Sequence, residues 1–99
     1  MARKRVEFHE EASLEYEAAF AWYLERSSSV ASRFATELDR AVDAIAEAPQ
    51  RWPANSQGTR KFLLQTFPFA LIYRDSAAII QVLAVAHGHR RPGYWKERL

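Results

Sequence analysis

The run Ala78-Ile79-Ile80-Gln81-Val82-Leu83-Ala84-Val85-Ala86 holds one polar side chain in nine positions. A strand this apolar needs cover on both faces, so it reads as the centre of a sheet. In a chain of 99 residues there is room for one small core, and this strand must lie in it. The remaining elements are therefore constrained to flank it or to lie across it.

Upstream, Ala70-Leu71-Ile72-Tyr73-Arg74 reads as an antiparallel neighbour, joined to the central run by a tight turn at Asp75-Ser76. Before it, from Thr59, the period is two: Phe62 and Leu64 share one face, and Lys61, Leu63 and Gln65 take the other. Phe67-Pro68-Phe69 punctuates these two strands, because proline cannot donate to a ladder. The loop before Thr59 carries Pro53, Asn55, Ser56 and Gly58, all turn formers. Trp52 in that loop is expected to cap the apolar layer.

The first half of the chain has a different period. Arg5 to Phe8 alternates as a short strand. From Glu10 onward Ala12, Tyr16, Ala19, Phe20 and Tyr23 recur at three- and four-residue steps, one face of a helix. Ser27-Ser28-Ser29 interrupts and supplies an N-cap. Val30, Phe34, Leu38, Ala41, Ile45 and Ala48 mark a second helix face, which Pro49 ends. The order β-α-α-β-β-β predicts an α+β chain over residues 1–99, a single two-layer sandwich with an antiparallel sheet packed against a helical hairpin.

With no cysteine there is neither a disulfide nor a thiolate metal site. No stretch approaches the roughly 18 apolar residues of a membrane span. The basic start Met1-Ala2-Arg3-Lys4-Arg5 runs into Val6-Glu7-Phe8-His9-Glu10-Glu11, where a secretion signal would place its apolar region. The chain is expected to be cytoplasmic, without cofactor, metal or membrane partner. No phosphate-binding glycine loop, dinucleotide fingerprint or nucleophile elbow is present.

Charge is segregated. Residues 1–50 hold six Lys/Arg against ten Asp/Glu, whereas residues 51–99 hold eight against two, Asp75 and Glu97. A basic half favours an anionic partner. The densest stretch is His87-Gly88-His89-Arg90-Arg91-Pro92-Gly93-Tyr94-Trp95-Lys96-Glu97-Arg98-Leu99. Guanidinium forks grip phosphates, aromatic rings stack on bases or fill partner pockets, and histidines near neutrality serve acid–base chemistry. Arg60 and Lys61 are candidates to extend this patch. Trp22 and Tyr23 are expected in the core. The acid pairs Glu10/Glu11 and Glu15/Glu17 are expected to serve helix capping and solubility.

Taken in order, these pieces resemble the RelE/ParE-type toxins of bacterial type II toxin–antitoxin systems over nearly the whole chain. The resemblance rests on Val6 and Phe8, Ala12, Trp22-Tyr23, Ala31 and Phe34, Leu38, Ile45 and Pro49. It continues through Gly58-Thr59-Arg60-Lys61, Phe67-Pro68-Phe69 before Leu71-Ile72-Tyr73, and His87-x-x-Arg90-Arg91-Pro92-Gly93-Tyr94-Trp95. It implies a toxin neutralised by a cognate antitoxin whose disordered segment folds on contact.

The family divides by target. One branch cleaves mRNA on the ribosome without metal, and the resemblance would then give catalytic roles to His87, His89, Arg90 and Tyr94. The ParE-like branch poisons DNA gyrase by binding. Where the RNA-cleaving pattern carries a strand arginine, this chain has Ala70 after Pro68-Phe69, which is closer to the ParE-like branch. That branch implies target binding through Lys61, Arg90, Arg91, Tyr94, Trp95 and Lys96, with DNA gyrase as target and plasmid stabilisation as the setting. The ribosome-dependent mRNA endonuclease is the alternative, and an inactive toxin fold or nucleic-acid-binding module is a third.

Overall fold

The computed structural model describes residues 3–55 and 57–99; Met1, Ala2 and the loop residue Ser56 lie outside the described residues. The elements are β1 (Arg5–Phe8), α1 (Glu10–Arg26), α2 (Ser28–Glu47), β2 (Thr59–Leu63), β3 (Phe69–Asp75) and β4 (Ile79–His87). Short 3-10 turns follow α2 at Pro49–Arg51 and close the chain at Tyr94–Arg98. The expected order and the α+β class are as read from the sequence.

The helix boundaries have local causes. His9 caps α1, its Nδ1 accepting from the Glu11 N–H at 3.0 Å, and Glu10 and Glu11 occupy the first turn, where the helix dipole favours acids. Ser27 ends α1 in extended backbone and caps α2, its hydroxyl accepting from the Val30 N–H at 3.3 Å. A single extended residue between two helices forces a tight hairpin.

The sheet order is β1-β4-β3-β2, and β4 is central as the apolar run demands. One expectation is corrected: the sheet is mixed, not antiparallel throughout. β2, β3 and β4 form the antiparallel meander, but β1 pairs with β4 in parallel, from Arg5 opposite Ile79 to Phe8 opposite Val82. The helical hairpin is the reason. It carries the chain back to the end of the sheet where β1 began, so β2 runs in the direction of β1. Two hairpin reversals later β4 runs that way too.

A second irregularity decides which side chains face which layer. Ile72 pairs with Ala84 but Tyr73 pairs with Val82, which leaves Leu83 as an extra residue in β4. This bulge shifts the alternation by one. Ile80 and Val82 face the helices below it, and Val85 faces them above it. Leu83 and Ala84 belong to the opposite face.

Two apolar layers result. The larger joins Ala12, Ala19, Phe34, Leu38 and Ile45 of the helices to Leu71, Tyr73, Ile80 and Val85 of the sheet. Phe34 is fully buried at its centre, with ring centroids of Tyr16, Tyr23, Phe67 and Phe69 at 5.1–5.7 Å. Trp52 covers the layer's end against Phe62, at 4.7 Å between centroids, as expected. The smaller layer lies on the helix-free face: Ala70, Ile72, Leu83 and Ala84, roofed by Trp95.

Candidate functional site

The basic C-terminal stretch is not a solvated tail. After β4 the chain turns at Gly88, whose N–H donates to the Pro68 carbonyl at 2.8 Å, and doubles back along the sheet. Gly93 takes the left-handed conformation (φ 76°) needed to start the last turn. That turn drives Trp95 into the helix-free face, where it is 7% exposed. Tyr94 lands on the edge of β4.

That edge needs a partner. β1 ends at Phe8, opposite Val82, so β4 beyond it has lost its neighbour. Two side chains supply the missing contacts. The Glu15 carboxylate accepts from the Val85 N–H at 2.9 Å, and the Arg98 guanidinium donates to the Leu83 carbonyl at 2.9 Å. Arg98 and Glu15 pair through both oxygens, at 3.0 and 2.9 Å. The Tyr94 hydroxyl donates to Glu15 at 2.7 Å. The pair is only 12% and 16% exposed. Side chains 83 positions apart thus continue the ladder where the backbone does not.

The clasp sets the ionisation of its members. Burial pushes the Glu15 carboxyl upward, but the hydrogen bonds from Arg98, Tyr94 and the Val85 N–H more than offset it, so the net displacement is downward. Burial and then the Glu15 hydrogen bond push the Tyr94 phenol up to about 12. Tyr94 therefore stays protonated at neutral pH, donating to Glu15. Its ring carries the Arg90 guanidinium, 3.9 Å from the centroid.

Two grooves flank this strap. The first, of about 570 Å³, lies on the helix-free face between β2 and the strap. Lys61 and Leu63 of β2 form one bank, Arg91 and Lys96 the other, and Ala70 and Ala86 lie in the floor. No Asp or Glu among the described residues lines it. The second, of about 610 Å³, lies on the helix side between α1 and the Phe67-Pro68-Phe69 turn, and Ala18, Trp22, Tyr23 and Phe69 line it. Arg90, His87 and Tyr94 border both. Glu37 of α2 fixes that turn by accepting from the Gln65 and Thr66 N–H groups at 2.6 and 3.0 Å.

The structure sorts the candidates. Lys61, Arg90, Arg91 and Lys96 are exposed along one groove. Trp95 is displaced from the contact list: its ring is consumed in the sheet's second layer and anchors the strap instead. Tyr94 presents its ring beneath Arg90 while its hydroxyl is spent on Glu15. Arg60 turns away from the patch and donates to the Trp52 and Gln50 carbonyls.

His87 stacks edge-on to Phe69 at 5.1 Å and accepts at Nδ1 from the His89 N–H at 3.0 Å. Among the described residues, no group of three or more His, Asp or Glu side chains is placed to hold a metal ion.

Two further expectations fail. Trp22 is not in the core but 52% exposed, with Arg26 stacked on its ring at 3.6 Å. It lies off the Ala12–Tyr16–Ala19–Tyr23 face, a spacing signal that was available. Glu15 is not a solubilising acid but the hub of the clasp. Nothing local to Glu15 announces a partner at position 98.

The comparisons agree with this architecture. A family model described as the ParE toxin of the type II toxin–antitoxin system parDE matches residues 6–92. A curated protein of Sinorhizobium fredii (strain NBRC 101917 / NGR234), named "Putative toxin Y4kP", is 29% identical over 92 residues, covering 92% of this chain and 95% of its own. Among solved structures, a chain of the "Chromosomal ParDE TA system from P. aeruginosa" superposes with a TM-score of 0.73 at 17% identity, covering 86% of this chain and 96% of that one, which is a likeness of fold. No helix among the described residues is long and apolar enough to cross a membrane. With a match spanning residues 6–92 and the fold in agreement, this chain belongs to the ParE toxin family of type II toxin–antitoxin systems.

Proposed function

We propose that this toxin arrests growth by poisoning DNA gyrase, acts by binding and not by hydrolysis, and is held inactive in the cytoplasm by a cognate antitoxin. The observation that carries the binding reading is the state of the histidine–tyrosine set. Metal-free RNA cleavage needs a base, an acid and a cation converging on one phosphate. Here the Tyr94 hydroxyl is committed to Glu15, and His87 Nδ1 to the His89 backbone. What stands free is a row of cations, Lys61, Arg90, Arg91 and Lys96, suited to gripping.

The antitoxin reading draws on the second groove. Its apolar floor of Ala18, Tyr23 and Phe69 lies beside the stacked pairs Arg26–Trp22 and Arg90–Tyr94. An amphipathic segment with acidic residues beside its apolar face complements it.

The test is a gyrase supercoiling assay with protein confirmed to arrest growth. Lost supercoiling supports the reading. Unchanged supercoiling, with codon-phased mRNA breaks in a translating extract, would transfer the function to the ribosome and make His87, His89, Arg90 and Tyr94 the catalytic set. Co-expression of the adjacent small open reading frame is expected to restore growth; continued arrest would remove that partner.

A further inference from the structure

We infer that the groove on the helix-free face is a nucleic-acid phosphate site, in which Lys61, Arg90, Arg91 and Lys96 hold the backbone of a DNA segment directly. This rests on the reading of that groove as the target-binding face and names what the face touches: DNA in the gyrase complex, not the gyrase surface.

Three observations carry it. The first is sign. The cations that face the groove are Lys61, Arg90, Arg91 and Lys96, and no carboxylate among the described residues lines it. Asp75, one of the two acids of residues 51–99, is occupied at the far end of β3 by Lys4, at 2.6 Å. Among the described residues, none of Lys61, Arg90, Arg91 and Lys96 has an acidic partner within ion-pair distance, whereas Arg3, Lys4, Arg5 and Arg98 all do. Basic side chains left free on both banks of one groove leave a positive field that only an anion neutralises.

The second is pre-organisation. Arg90 lies on the Tyr94 ring at 3.9 Å, and Glu15 holds that ring by its hydroxyl. A guanidinium fixed on an aromatic plane keeps its donor fork directed outward. Lys96 folds its stem over Gly93, where a Cβ would meet the Lys96 Cε at 2.7 Å.

The third is the floor. Protein interfaces draw their energy from large anchors seated in pockets. Here the floor between the two basic banks carries the small side chains Ala70 and Ala86, beside the buried Trp95. Backbone recognition needs no such anchor: cations along two banks and an open channel suffice.

Four phosphate contacts set the expected behaviour. The slope of log affinity against log salt is about −3.6, so raising salt fourfold from 50 mM weakens binding about a hundredfold.

The test is fluorescence anisotropy of a labelled mixed-sequence DNA duplex, titrated with the full-length protein across that salt range. Lys61→Gln, Arg91→Gln and Lys96→Gln are each expected to weaken binding and to lower the slope by about one. Arg33→Gln and Arg40→Gln, on the exposed side of α2, are expected to leave both unchanged. Thermal unfolding confirms that all five variants fold.

Absence of binding by folded protein at 50 mM salt would overturn the inference, as would groove variants that behave like the α2 controls. Displacement of the DNA by polyglutamate of equal charge at equal concentration would also overturn it, since the groove would then take any polyacid. The two readings fail separately. Gyrase poisoning without DNA affinity sinks this inference and keeps the target; DNA affinity without gyrase poisoning does the reverse.

Discussion

At the scale of single residues, Glu15 has the largest consequences outside the core. It joins α1, the β4 edge and the chain end through four hydrogen bonds. Glu15→Gln removes the charge but keeps the shape, leaving Arg98 partly buried without its counter-ion. We expect a loss of about 2 kcal/mol, since hydrogen bonds to charged groups contribute about 1.5–3 kcal/mol. In a domain of this size that lowers Tm by roughly 10 °C.

The pH dependence has a defined sign. The folded Glu15 carboxyl titrates below its ordinary value of 4.5. Its contribution is present above that value and is lost as pH falls through the lower, folded one. Wild type should therefore lose stability on acidification below 4.5 more steeply than Glu15→Gln, as denaturant midpoints across pH will read. Parallel curves would mean that Glu15 does not couple to folding.

At the same scale, Gly93→Ala places a Cβ at positive φ and against the Lys96 stem. A cost of about 1–2 kcal/mol in thermal unfolding is expected.

At the scale of elements, the C-terminal strap is a structural component of the sheet. Trp95→Ala should cost about 3 kcal/mol, the range for a buried aromatic, and should loosen Tyr94 and Arg90 with it. Proteolysis within residues 88–99 should accelerate in that variant. A Trp95 variant as stable and as protease-resistant as wild type would contradict the assignment of this ring to the core.

Much at this scale was legible from sequence. The two helix faces follow from Ala12–Tyr23 and Val30–Ile45, and the cap from Ser27. The central strand follows from the apolar run itself. The bulge at Leu83 was not legible, for the same reason that the strand was: a run with no polar alternation carries no phase to break. The parallel pairing of β1 depends on where the hairpin returns the chain, which no local pattern states. The docking of the strap was not legible because its composition, basic and aromatic, is that of an exposed segment. Trp95 owes its burial to an uncovered patch of Ala70, Ile72, Leu83 and Ala84, which appears only once the sheet is assembled.

At the scale of the whole molecule, the charge segregation seen in the sequence becomes a division of labour. The acid-rich first half supplies the helical hairpin, and the basic second half supplies β2, β4's end and the strap. The candidate contact residues Lys61, Arg90, Arg91 and Lys96 were named from sequence, and the fold brings them to one groove. Which of their neighbours are grips and which are struts, Arg60, Tyr94 and Trp95 above all, depended on contacts that span the chain. The groove's cations act together, so their effects on function should be large while their effects on stability stay within about 0.5 kcal/mol, as for other exposed substitutions.

The central claim is that this ParE-family toxin disables gyrase by gripping, with Arg90 and Arg91 as grips and the histidines dispensable. It is tested most directly by the linear DNA released when gyrase, incubated with plasmid and toxin, is denatured. The account predicts linear plasmid with the wild-type protein and with the His87→Ala/His89→Ala double variant, and closed plasmid with Arg90→Ala/Arg91→Ala. Closed plasmid from wild-type protein that arrests growth, or loss of linear product on removing the histidines alone, would contradict it.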